Sequence, residues 1–124
     1  MNKKRPVNLN LSTIQLPVMA KASILHRLSG IFLFLCLPCL LYVLQQSLRS
    51  PEDFNAIKST LDSGVVRILF SLVAMALVYH LIAGVRHLIM DLGHGETLEG
   101  GRLGASIVLF GGILAALAVG IWVW

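Results

Sequence analysis

The sequence predicts an all-α membrane protein with three transmembrane helices. Its 124 residues are 56% hydrophobic and 13% charged, and the mean hydropathy of +0.82 is too high for a water-soluble domain of this size. The charges are also clustered, because residues 28–48, 68–85 and 103–124 contain no Asp, Glu, Lys or Arg. A helix needs about 17–25 apolar residues to cross the hydrocarbon core, so each run is long enough.

We predict a single transmembrane domain over residues 1–124. Residues 1–21 form a tail, in which Pro6 and Pro17 interrupt any long helix. The three spans are expected at about 22–47, 63–92 and 102–124. In the first loop, Ser50 followed by Pro51 and two acidic residues is typical of a helix N-terminus and predicts a short helix there.

Positive charges predict the orientation of the chain. Lys and Arg are enriched on the cytoplasmic side of membrane spans, so the side with more of them is assigned to the cytoplasm. The N-terminus and the second loop are therefore expected in the cytoplasm. The topology of a chain embedded in membrane lipid, rather than nucleic-acid binding, explains the net charge of +4. The seven residues on that side are Lys3, Lys4, Arg5, Lys21, Arg27, Arg86 and Arg102, against Arg49, Lys58 and Arg67 on the other.

The second span carries an unusual polar stripe. His80, Gly84, His87 and Asp91 follow one another at intervals of 4, 3 and 4, which places them on one helical face. Ionisable residues at membrane depth are costly and usually serve a ligand or a pathway. The alternative for a single intramembrane His is a hydrogen bond to a neighbouring helix.

A second polar group opens the first span. Ser23, His26, Arg27 and Gly30 share a face at three- and four-residue spacing. A snorkelling Arg with an interfacial Ser would explain part of this pattern without any ligand. Because the first two spans are antiparallel, we expect this group to lie level with His87, at the cytoplasmic end of one cleft.

A haem group accounts for both polar faces. His80 can supply an axial imidazole, Gly84 leaves room for the flat macrocycle, and the cationic or donor side chains near the cytoplasmic end suit its carboxylates. His87 lies too near the interface for a second axial ligand, so the other imidazole is expected from another chain. The third span supports such an incomplete bundle, because Gly112, Ala116 and Gly120 form a small-residue face for a close helix.

Three segments of the sequence occur in a characteristic order: Arg5-Pro6-Val7-Asn8-Leu9, then Ser23-Ile24-Leu25-His26-Arg27-Leu28-Ser29-Gly30, then His80-x3-Gly84-Val85-Arg86-His87 with Asp91. Together they resemble the cytochrome b membrane-anchor subunit of succinate dehydrogenase, in respiratory complex II. The resemblance extends from residue 5 into the third span, where it is one of general character.

The resemblance implies a subunit of the bacterial inner membrane that is not an enzyme by itself. A flavoprotein subunit would oxidise succinate, an iron-sulfur subunit would carry the electrons, and ubiquinone would be reduced at the cytoplasmic edge. The three spans would form half of a helical bundle that shares haem b with a second small anchor subunit. No flavin, iron-sulfur or hydride-transfer motif is present in this chain.

The resemblance also implies roles for individual residues. His80 corresponds to the axial ligand of the haem iron, opposite a His of the second anchor. Ser23 and Arg27 correspond to quinone-binding residues, since a hydroxyl and a guanidinium can stabilise a reduced quinone oxygen. The haem pocket and propionates would be bordered by His26, Arg27, Gly84, Arg86 and His87, while Asp91 is expected to pair with one of the cations.

Three alternatives remain at this point. The chain could anchor a fumarate reductase, which runs the reverse reaction. It could be a haem-free structural anchor whose histidines are satisfied by hydrogen bonds. It could also form a small proton or solute channel, although the outer half of the second span is almost wholly apolar.

Overall fold

The computed structural model describes residues 9–10 and 13–124, and this part of the chain is helical with no strand. Three of its helices are long and apolar enough to cross a membrane. The predicted all-α membrane fold is confirmed, and the chain is a multi-pass membrane protein. The helices are α1 (Val18–Ser47), α2 (Pro51–Leu61), α3 (Gly64–Asp91) and α4 (Leu98–Val123).

Two spans begin four residues earlier than predicted. Helix α1 begins directly after Pro17, whose extended backbone precedes the first turn and whose carbonyl accepts from Lys21 N at 3.1 Å. A proline lacks its own N–H but does not prevent the residues after it from being helical. The start of α4 is set by Thr97, whose hydroxyl accepts from Gly100 N at 3.1 Å. Helix α3 is one residue shorter at each end than predicted.

The short helix predicted in the first loop is confirmed as α2. Ser50 is its N-cap and accepts from Asp53 N at 3.0 Å, and Pro51 occupies the first helical position. Glu52 and Asp53 lie in the first turn, where their carboxylates oppose the positive end of the helix dipole. Local capping chemistry therefore accounts for this element without any long-range contact.

Helices α3 and α4 pack against each other through the small residues of α4. A Cβ atom at Gly112 would lie 2.9 Å from the ring of Tyr79, and one at Gly120 would lie 2.9 Å from Met75 Sδ. Ala116, between them, is buried. The small-residue face was predicted correctly, but its use as a sign of an incomplete bundle was wrong, because α3 of the same chain already packs against it.

Substitution at this contact is expected to destabilise the fold. Gly112→Ala would push the buried Tyr79 ring, whose hydroxyl donates to Ala22 O at 3.4 Å, and overpacking of this kind costs about 1–3 kcal/mol. The readout is a lower melting temperature of the detergent-solubilised protein. Gly111→Ala is the matched control, because Gly111 has nothing within 4 Å of an added Cβ. Equal melting temperatures of the two variants would contradict this packing.

Arg67 links three parts of the chain at one end of the bundle. Its guanidinium pairs with Asp62 at the turn between α2 and α3, and it lies 5.5 Å from the ring centroid of Trp124. These contacts put α2 and the C-terminus at the same end of the molecule. The His-bearing part of α3 lies toward the opposite end.

Candidate functional site

Three histidines gather between α1 and α3, and we call them the imidazole cluster: His26, His80 and His87. The rings of His26 and His80 are stacked, with centroids 4.1 Å apart and planes 12° apart. The ring of His87 lies 4.9 Å from that of His26, tilted by 44°. Polar rings in contact within two membrane-spanning helices are unusual, because each must satisfy its nitrogens away from bulk water.

The cluster follows from helical spacing and from the antiparallel packing of α1 on α3. His80 lies against Gly30, whereas His26 lies against Gly84 and His87, so helices α1 and α3 run in opposite directions. The stripe on α3 therefore faces α1. At Gly84, an added Cβ would lie 3.5 Å from His26 Nε2, so the missing side chain accommodates the His26 ring.

The hydrogen bonds of His80 assign its proton. Its Nδ1 lies 3.0 Å from Ser29 Oγ and 3.1 Å from the carbonyl oxygen of His26. A carbonyl can only accept, and the Ser29 hydroxyl already donates to that carbonyl at 2.8 Å, so Nδ1 carries the hydrogen. In a neutral imidazole, Nε2 is then the nitrogen with the lone pair, and it has no hydrogen-bond partner among residues 9–10 and 13–124. A nitrogen of this kind is able to ligate a metal.

Nε2 of His26 is a buried nitrogen without a hydrogen bond. It has no hydrogen-bond partner in the described part of the chain. A buried polar atom without a partner costs about 1–3 kcal/mol, so native structures rarely keep one without a reason. The cluster thus contains a nitrogen that an oxygen group from outside the chain would satisfy.

Ser23 and Arg27 lie on α1 between its N-terminus and Ser29. Ser23 is half-buried and Arg27 is exposed. Neither side chain has a hydrogen bond or ion pair with any described residue. Both side chains are therefore available to a ligand or to another chain.

Arg86 lies on another side of α3. Its Nη2 donates to Gly101 O at 3.2 Å, and its Nε would be 3.3 Å from a Cβ at Gly104. The guanidinium thus packs against α4, and the structure does not bring it together with the imidazole cluster. Asp91 was expected to pair with a cation, but it is exposed and forms no ion pair with the described residues. Arg86, one of the cations considered, is directed to α4 instead.

Two residues at the site were not assigned a role with His80 from the sequence. Ser29 contributes the hydroxyl at Nδ1, and Gly30 lies under the ring, since a Cβ there would be 2.9 Å from His80 Cε1. A sequence signal exists, because Ser29 and Gly30 follow His26 by three and four residues and so share its side of α1. What the sequence lacks is the register that brings them level with His80.

The fold and the cluster together define a class: a small three-span helical membrane protein with three histidine rings in contact between two of its spans. The sequence model of the succinate dehydrogenase/fumarate reductase transmembrane subunit matches residues 1–119. The chain belongs to this family. Segment 5–8, which contributes to the resemblance seen in the sequence, lies outside the described residues.

Relatives of similar length carry names from the same family. The chain is 41% identical over 125 residues to the succinate dehydrogenase cytochrome b556 subunit of Coxiella burnetii, with all of both chains covered. It is 32% identical to the cytochrome b556 subunit of Rickettsia felis, covering 97% of this chain and 92% of the relative. It is 33% identical to the cytochrome b560 subunit of Reclinomonas americana, covering 88% and 79% respectively.

Proposed function

We propose that this chain is a membrane-anchoring cytochrome b subunit of a succinate dehydrogenase, in which it binds haem b and contributes to the ubiquinone-reduction site. The observation that carries the proposal is His80. Its Nδ1 proton is engaged by Ser29 and by the His26 carbonyl, which leaves Nε2 as a free lone pair between two transmembrane helices. The family and the cytochrome b names of the relatives support the same conclusion.

The residues of the imidazole cluster fit a haem. When bound, haem b supplies a one-electron carrier, and an axial imidazole from His80 would hold its iron. A ligating histidine normally donates its other N–H to a carbonyl or a similar acceptor, as His80 does. His26, with its unsatisfied Nε2, and His87 would serve the carboxylates together with Arg27.

Two pocket residues have less direct support. Gly84 receives the His26 ring, so its role at a haem would be to let that imidazole settle against α3. Arg86 is committed to Gly101 O, so a role at the propionates requires its guanidinium to leave α4. Both are proposed as pocket residues because they belong to the motif around His80 and His87.

Ser23 and Arg27 are proposed to bind ubiquinone. Their side chains have no partners within the described chain and lie on α1 near its cytoplasmic end. A hydroxyl can donate to a quinone oxygen, and a guanidinium stabilises the negative charge that develops there on reduction. Arg27, placed between the cluster and the exposed surface of α1, could serve both the quinone and a haem carboxylate.

The chain acts as an electron-transfer subunit and not as an enzyme by itself. We propose that a flavoprotein subunit and an iron-sulfur subunit bring the electrons of succinate, and that a second small anchor subunit supplies the other axial His. Large apolar side chains remain exposed along α1 and α3, for lipid and for that second anchor. We propose the bacterial inner membrane as its location, from the family resemblance, with the N-terminus in the cytoplasm, from the distribution of Lys and Arg.

A fumarate reductase anchor is the second candidate, because the family includes both kinds of complex. The relatives above are named for succinate dehydrogenase, which favours succinate oxidation. A haem-free structural anchor is less well supported, since hydrogen bonds within the described chain satisfy only one nitrogen of His80.

The test is to purify the tagged chain from its native membranes under mild detergent. We expect a flavoprotein and an iron-sulfur protein to co-purify, a b-type band in the reduced-minus-oxidised spectrum, and succinate-dependent quinone reduction. The complex should reduce ubiquinone with succinate faster than it reduces fumarate with a quinol. Absence of the b-type band would exclude haem binding, and faster fumarate reduction would favour the second candidate.

A further inference from the structure

We propose that Ser29 is a positioning residue for His80, and that Ser29 and Gly30 together set the tautomer and orientation in which this histidine ligates a metal. The inference rests on the proposed function, because it concerns how His80 is held as a ligand. It assigns a role to two residues of α1: Ser29, at the ring nitrogen that would not bind iron, and Gly30, against Cε1 of the ring. Two observations support it: a chain of hydrogen bonds from His80 through Ser29 to the His26 carbonyl, and the close contact of the His80 ring with Gly30.

The hydrogen-bond chain runs from α3 to α1. His80 Nδ1–H donates to Ser29 Oγ at 3.0 Å, and the Ser29 hydroxyl donates to the His26 carbonyl at 2.8 Å. The same carbonyl lies 3.1 Å from Nδ1, so the proton has two acceptors. The reverse tautomer would leave Nδ1 facing a carbonyl with no hydrogen between them, which is repulsive. The His26 carbonyl thus favours an unprotonated Nε2, and Ser29, whose hydroxyl hydrogen is taken up by that carbonyl, adds a second acceptor for the Nδ1 proton.

Ser29 differs in this respect from other serines in the transmembrane helices. Ser71 and Ser106 also donate to a carbonyl of the preceding turn, at 2.8 and 3.0 Å, which is common for serine in a helix. Neither has a contact with a ring nitrogen. Ser29 is distinguished by its contact with Nδ1 of His80, and not by its hydrogen bond within the helix.

Gly30 lets the His80 ring lie close to the backbone of α1. A Cβ at this position would lie 2.9 Å from Cε1, 3.5 Å from Nδ1 and 3.8 Å from Nε2 of His80. The ring therefore rests directly on the backbone of α1, which brings Nδ1 within reach of Ser29. Any side chain at Gly30 would lift the imidazole away from its acceptors.

The chain offers a conservative replacement for Ser29. Its side chain borders an apolar cavity of about 300 Å³ between α1, α3 and α4. The extra methyl group of a threonine has space there, while its hydroxyl can keep both hydrogen bonds. Ser29→Thr should therefore preserve the ligand geometry, and Ser29→Ala should lose it.

The experiment compares Ser29→Ala, Ser29→Cys, Ser29→Thr and the matched control Ser71→Ala in the intact purified complex. Losing an acceptor of Nδ1–H makes the imidazole a weaker donor, so we expect Ser29→Ala to raise the midpoint potential of the haem and to shift its low-spin EPR signal. Transfer of haem to apomyoglobin should be faster by roughly tenfold, the scale of losses for partners of metal ligands. Ser29→Thr and Ser71→Ala should match the wild type.

The outcomes separate this inference from the proposed function. A wild-type complex without b-type haem, or a His80→Ala complex that keeps it unchanged, would overturn both. If His80→Ala loses the haem but Ser29→Ala and Ser29→Cys keep the wild-type potential and EPR signal, the inference about Ser29 alone fails. It also fails if neither variant assembles while Ser71→Ala does, because Ser29 would then serve folding.

Discussion

Replacing His80 with alanine is expected to remove the b-type absorbance of the purified complex or to leave a haem with an altered axial-ligand signal. The physical reason is that the hydrogen bonds of the cluster engage Nδ1 of His80 and leave Nε2, which we propose as the axial ligand of the haem iron. The measurement is a reduced-minus-oxidised spectrum together with low-temperature EPR of the membranes and of the purified complex. Thermal stability should fall as well, because a bound group that is lost no longer stabilises the folded state.

The matched control for this prediction is His94→Ala. His94 is exposed in the turn after α3 and belongs to none of the contacts of the imidazole cluster. Its spectrum and melting temperature should equal those of the wild type. A His80→Ala complex with an unchanged haem spectrum and unchanged thermal stability would show that the axial ligand lies elsewhere.

Arg27→Ala is expected to lower succinate-dependent quinone reduction by roughly 100-fold, the scale of effect when one donor to a developing negative charge is removed. Arg27 is exposed on α1 and has no partner within the described chain, so its loss should not disturb the helix packing. Oxidation of succinate with an artificial electron acceptor should continue at the wild-type rate. Ser23→Ala should reduce quinone activity less, because it removes a neutral donor.

Arg102→Ala provides the control for charge. Arg102 is an exposed arginine in the first turns of α4, at the same end of the molecule as the start of α1. Its removal should leave quinone reduction near the wild-type rate. Normal assembly of Arg27→Ala with full quinone activity would show that Arg27 does not act at the quinone.

Much of the fold could be predicted from the sequence because the relevant physics is local. Charge-free runs of sufficient length define the three spans, and the Ser50-Pro51 cap defines α2. Two helix starts were placed four residues too late. A tail with Pro17 near its end looks non-helical, yet the helix begins immediately after the proline, and Thr97 caps α4 before the polar residues end.

The composition of the site was less predictable than its location. Spacing alone places His80, Gly84 and His87 on one face of α3, and the structure brings that face against α1. The side on which Arg86 packs was not predictable, because a long side chain at the edge of a stripe can turn to either neighbour. It donates to Gly101 O, where the glycines of α4 leave room for it.

The sequence by itself determined that this chain crosses the membrane three times and that α3 presents two imidazoles on one face, because both properties depend on hydropathy and on the periodicity of a helix. Only the tertiary structure decided that Ser29 and Gly30 meet His80. That contact depends on the register of α1 along α3, and register is set by side chains packing between helices. The same packing, and not any local pattern, engages Nδ1 of His80 and leaves its Nε2 without a partner in the described chain.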